Sequence, residues 1–235
     1  MVPRVSDSQS LDPPGDLGIT RVELGVVISH CAMVIDADRE IREAALHRPY
    51  FDASPASGDV YVDDSWLHNC PDYEEWTNTF WALISQFLVG AANLSKMLYG
   101  SSSGSAKKDP SHAWMEDRRA RVRGILQVGP ALGFRSRAVR DAMEHIDERL
   151  WRRLALIATG LADPFVIRYA FGIYEEWWEN ISEPPLGLYD PASHTVYFLD
   201  RDGQEISSNL AEVASEVADV LSRAVEYRAQ LGIWP

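Results

Sequence analysis

The spacing of the apolar residues constrains this chain most. Over most of its length they recur every three or four positions, and only towards the C-terminal end does the repeat shorten to two. One buried helix face produces the first pattern and a half-buried strand the second. From Ile19 to His47 a stripe of Leu24, Val27, Ile28, Cys31 and Ile35 predicts a long first helix. A second is predicted from Pro71 through Trp76, Phe80, Leu83, Phe87 and Leu94 to about Leu98. Proline suits a first turn because its fixed φ is already helical and its missing N–H has no partner to lose there. Asp72, Glu74 and Glu75 favour the positive end of the same helix dipole. Ser111 caps a predicted third helix, through Trp114 and Val122 to Leu126. A fourth is predicted from about Ser136 to Ala158, where Ile146, Leu150 and Ile157 fall within about 20° of Val139 on a helical wheel.

Between these helices the composition changes. Tyr50 to Cys70 is a loop rich in Asp, Ser and Pro, with a short strand expected at Val60 to Val62, and SSSGSAKKDP after Gly100 is a second loop. The tail LGLYDPASHTVYFLDRDGQEI reads as short strands turned at Asp190-Pro191 and Asp202-Gly203. Ser208 or Asn209 then caps a last amphipathic helix through Val213, Val217, Val220 and Val225. An isolated hairpin is marginally stable in water, so this one is expected to dock on the helices. The expected fold is mainly α: an antiparallel helical bundle with a small appended β-hairpin and a C-terminal helix. Residues 1–17 are expected to form a disordered leader, 18–183 the bundle, and 184–235 the hairpin and last helix.

Composition narrows the function classes. A chain of 235 residues that is 46% hydrophobic can bury a sizeable core. The N-terminal stretch has no apolar signal segment, and the apolar runs are far shorter than a membrane span. Two cysteines cannot form a disulfide framework, which points to a reduced, cytoplasmic setting. A net charge of −13 excludes a protein that coats nucleic acid nonspecifically. The charge is unevenly placed, however. Residues 101–160 carry 12 basic and 7 acidic side chains, and the rest of the chain 10 basic and 28 acidic. Such an island attracts one anionic segment while the remaining surface repels bulk polyanion. Within it, Arg119 and Arg123 are four residues apart on one helix face and suit successive RNA phosphates, with Arg137 nearby. The competing explanation is a wet face whose arginines pair with Glu116 and Asp117.

Chemistry concentrates in RDAMEHIDERL, residues 140–150. On the wheel of the fourth helix His145 lies opposite the apolar stripe, and Asp141 is its neighbour one turn back. A carboxylate there orients the imidazole and fixes its tautomer. A neutral imidazole takes a proton from a hydroxyl, and a guanidinium holds a phosphate and the extra charge of its transition state. In RNA the ribose 2′-OH beside the scissile phosphate supplies that hydroxyl, so this chemistry requires no metal or other cofactor. Arg140 and His145 lie about 140° apart around one helix and do not converge alone. Spacing by itself is weak, since Arg42 and His47 share it; of the two, only Arg140 is followed by a residue of the Asn, Asp or His type.

RDAMEH resembles the signature of the HEPN superfamily, small helical bundles found in many prokaryotic toxins and defence nucleases. That signature is an Arg followed by a polar residue, with four to six residues between the Arg and a His. SRAVRDAMEHIDERL is similar to helices of bacterial HEPN-like proteins, and FLVGAANLSKML and RRARVRGIL suit the earlier helices of such a bundle. The resemblance spans about Thr77 to Leu156, and only RDAMEH is specific. It implies a metal-independent endoribonuclease, a toxin or defence effector, whose paired motifs meet at a homodimer interface. Arg140 and His145 match the signature as catalytic residues and Asp141 fills the polar position, where Asn is commoner. The alternative is a non-catalytic helical interaction or regulatory module acting through a protein partner.

Overall fold

The computed structural model describes residues 14–48, 71–100, 111–129, 132–133, 141, 159, 171–173, 187–199 and 204–232. Along the chain run α1 (Pro14–Leu46), α2 (Pro71–Tyr99), α3 (His112–Ile125), β1 (Phe171–Ile173), β2 (Gly187–Asp190), β3 (Thr195–Leu199), β4 (Glu205–Asn209) and α4 (Leu210–Gln230). The architecture is mainly helical with a small sheet and a C-terminal helix, as the two apolar periods predict. The expected strand at Val60 to Val62, the first 13 residues of the leader, the Asp202-Gly203 turn and the predicted fourth helix lie outside the described residues, apart from Asp141, which is helical.

α1 opens five residues before the apolar stripe predicts. Its buried line is Leu24, Val27, Cys31, Val34 and Ile41, with Ile28 and Ile35 at its margin. That line packs along both α2 and α4. At Gly90 the first two helices come so close that an added Cβ would stand 2.8 Å from Val34 Cγ2. α2 buries Phe80, Ile84, Phe87, Leu94 and Leu98 completely. It ends at Gly100, whose φ of 77° lets its N–H reach back to the Lys96 carbonyl at 2.9 Å.

α4 buries Leu210, Val213, Ala214, Val217, Val220 and Ala224. The predicted stripe included Val225, which is 43% exposed. The step of four residues from Val220 stays on the stripe and reaches Ala224, whereas a step of five turns away from it. Asn209 caps this helix, accepting from the Glu212 N–H at 3.0 Å.

The sheet runs β1-β2-β3-β4, with β1 parallel to β2 and the other pairs antiparallel. The expected hairpin is β2–β3, with Tyr189 opposite Val196, and it is extended by a strand on each side. Its inner face belongs to the helical core. The Tyr189 ring meets Phe80 at 5.0 Å and the Phe198 ring meets Trp81 at 6.1 Å, both edge-on. No helix among the described residues is long and apolar enough to cross a membrane.

Candidate functional site

Of the predicted catalytic set, Asp141 is helical and half-buried, while Arg140 and His145 lie outside the described residues, as does Arg137. The other two predicted RNA-binding residues stand on α3. Their surroundings follow from the way α3 meets the end of α2. The carbonyls of a final helical turn lack partners and carry partial negative charge. Arg123 Nη1 donates to the Leu98 carbonyl there, with its guanidinium 5.5 Å from the centre of the Tyr99 ring. Arg119 lies beside Gly100 and pairs with Glu116 one turn back on its own helix. Arg118, only 6% exposed, turns the opposite way: it reaches Glu23 at 2.6 Å and Thr20 at 3.1 Å on α1. The basic stripe of α3 is thus partly structural. Arg118 ties α3 to α1, Arg123 closes α2, and Arg119 shows the pairing with Glu116 that the composition allowed.

Between these contacts an open cleft of about 370 Å³ separates α1, α2 and α3. α1 contributes Glu23, Val26 and His30; α2 contributes Asn93, Lys96 and Met97; α3 contributes Trp114, Met115, Arg118, Arg119 and Val122. The charges within it are unequally matched. Glu23 answers Arg118 and Glu116 answers Arg119, whereas exposed Lys96 makes no ion pair with any described residue. His30 Nδ1 is buried without a hydrogen-bond partner among the described residues. Burial lowers the pKa of this imidazole, which favours the neutral ring. Trp114 is 56% exposed at the rim. The cleft is therefore lined by an exposed aromatic ring, one cation without an ion pair among the described residues and a neutral imidazole.

A second polar constellation lies where the hairpin meets α1. Tyr189 Oη is 2.6 Å from His194 Nδ1, and His194 Nε2 is 2.7 Å from Asp38 Oδ1. Arg42 closes the chain, its Nε donating to Asp38 Oδ2 at 3.0 Å. A carboxylate only accepts, so Nε2 carries the proton, and in the neutral ring Nδ1 accepts from the tyrosine hydroxyl. Burial opposes the charge on Asp38, but hydrogen bonds from His194 and Arg42, with the nearby positive charge, outweigh it and hold the carboxyl below its usual value. Tyr189 is 1% exposed and burial pushes its hydroxyl up to about 12. A phenol so enclosed has no access to a substrate, so this relay locks the sheet onto α1. His194 enters it with a φ of 52°, set by a turn in which Asp190 accepts from the Ala192 N–H at 2.9 Å.

Sequence reasoning passed over both constellations, although one carried a signal. Leu24, Cys31 and Asp38 are spaced by seven, so a carboxylate stands in register with a buried stripe. Such a residue needs a partner from another element. Cys31 is fully buried, and burial raises its thiol to about 12. Comparison of the chain with protein-family models, with curated proteins and with solved structures returns no match.

Proposed function

We propose that the protein acts on RNA as a metal-independent endoribonuclease of the HEPN type, in the manner of a toxin or defence effector. The observation that carries this reading is the Arg140-Asp141-x3-His145 arrangement inside the basic island of an acidic chain. His145 serves as general base and acid, Arg140 holds the scissile phosphate and the charge of its transition state, and Asp141 orients the imidazole. Because Arg140 and His145 would diverge on the helix predicted from the sequence, the working site is composite, built from two motifs across a two-fold homodimer. Arg119, Arg123 and Arg137 belong to the basic surface along which the RNA backbone approaches. A cytoplasmic setting fits the free, buried thiol of Cys31.

Incubation of the wild-type chain with RNA in excess EDTA tests the reading. Cleavage of RNA but not DNA is expected, with loss in His145→Ala and Arg140→Ala. His47 shares the spacing of His145 but stands exposed at the end of α1, and His47→Ala should cleave as wild type does. Equal cleavage by His145→Ala and wild type refutes the assignment. The second reading, a non-catalytic regulatory module for a protein partner, is favoured by Val22 and Val26, which are 66% and 37% exposed on α1. It predicts no cleavage by the wild-type chain.

A further inference from the structure

Large side chains in this fold are generally hidden: Phe80, Phe87 and Phe198 are at most 1% exposed. Trp114 departs from that pattern, leaving more than half of its surface open at the rim of the α1–α2–α3 cleft. An open indole face stacks any nucleobase, since every base presents a π-face. Val26, Met97 and Met115 supply apolar wall for a flat ring, and Asn93 and His30 supply hydrogen-bonding groups for its edge or for a ribose hydroxyl. Lys96 is the charge left over after Arg118 and Arg119 take their carboxylates. It matches the single negative charge of one phosphodiester. The volume of about 370 Å³ is at the lower end of that usual for small-ligand sites, roughly 300–1,000 Å³. With Lys96 as the one lining cation that makes no ion pair among the described residues, and a net charge of −13 over the chain, the cleft suits a strand entering one unit at a time better than a duplex lying across a basic face.

We infer that the α1–α2–α3 cleft holds one nucleotide of single-stranded RNA, its base against the Trp114 ring and its phosphate at Lys96. The inference rests on the RNA reading above and adds a holding site on the bundle, separate in sequence from Arg140 and His145. The nucleotide seated there anchors the strand while another part of it reaches the cleavage motif.

The test uses the full chain carrying His145→Ala, so that bound RNA is not cut. Fluorescence anisotropy with a fluorescein-labelled, unstructured single-stranded RNA oligonucleotide reads affinity in EDTA. Trp114 and Lys96 are exposed, so their variants keep the fold, which circular dichroism checks. Adding Trp114→Ala should weaken binding by about 5- to 150-fold, the usual effect of removing one stacking platform. Adding Lys96→Gln should lower the slope of log affinity against log salt by about 0.7, the share of one single-strand phosphate. Unchanged affinity in both variants overturns the site, and so does saturable binding of free adenosine monophosphate by a chain that ignores the oligonucleotide. The two readings fail separately. RNA cleavage that depends on His145 but not on Trp114 leaves the nuclease and removes the site. Trp114-dependent binding without cleavage leaves the site and removes the nuclease.

Discussion

Replacing Asp38 by alanine should cost the fold about 1–3 kcal/mol, and the structure says where the loss arises. The substitution removes the acceptor of His194 Nε2–H, on a side chain only 7% exposed, and a buried donor left unpaired costs about that much. Arg42, 48% exposed, regains water, so its ion pair contributes no more than about 1 kcal/mol. At roughly 2–4 °C per kcal/mol for a chain of this size, the melting temperature should fall by about 2–12 °C. Asp38→Asn keeps an oxygen in the accepting position and should cost less than about 1 kcal/mol. The two variants also separate the effect of charge. In the folded chain the Asp38 carboxyl is held below its ordinary value of 3.8, so the unfolded chain takes up its proton first as pH falls. The stabilisation from ionised Asp38 is thus fully present above about pH 4 and disappears as pH drops through the folded-state value. Urea melts at neutral pH and near pH 3 should show the gap between wild type and Asp38→Asn narrowing in acid. An Asp38→Ala variant within about 0.5 kcal/mol of wild type, or one no worse than Asp38→Asn, would show that the relay does not hold the sheet.

Arg118→Ala strands Glu23, whose side chain is 14% exposed, and should lose about 3–5 kcal/mol, while adding Glu23→Gln should recover part of it in the same urea assay. Gly90→Ala gains about 1 kcal/mol of helix propensity but forces a methyl against Val34, at about 1–3 kcal/mol. The net loss of up to about 2 kcal/mol should shrink when it is measured in a Val34→Ala background. Asn209→Ala should cost about 1–2 kcal/mol through the lost cap of α4 and the lost donation of its Nδ2 to the Ser193 carbonyl, and Asn209→Ser, which still accepts from the Glu212 N–H, should cost less. A melting point for Asn209→Ser below that of Asn209→Ala would contradict this account of the cap.

The helices and the hairpin were legible because each buries a continuous apolar face, and one buried face imposes one period. Pro71 marks the start of α2 as predicted, and Asn209 the cap of α4. Legibility fails where a contact joins residues far apart in the chain. Asp38 and His194 are 156 positions apart, and Arg118 and Glu23 are 95 apart, so periodicity within a segment cannot pair them. The α3 arginines illustrate the same limit. Spacing places Arg119 and Arg123 on one face, but only the approach of α2 reveals that Arg123 caps the Leu98 carbonyl. Trp114 was legible as a helical aromatic; that it opens onto a cleft follows from three helices meeting around it.

The position of α1 between α2 and α4 has a consequence for synthesis. α1 is finished at Leu46 and can pair with α2 once Tyr99 is made, yet α4, which also packs along it, starts at Leu210. At about 5–20 residues per second, the roughly 160 residues between Leu46 and Leu210 occupy a ribosome for about 8–30 s. Throughout that interval the residues of α1 that pack on α4 lack that partner on the nascent chain. Asp38 likewise waits for His194, 156 positions further along the chain. A message truncated before codon 210 would therefore yield a chain that carries α1, α2, α3 and the four strands but lacks the helix that packs along α1.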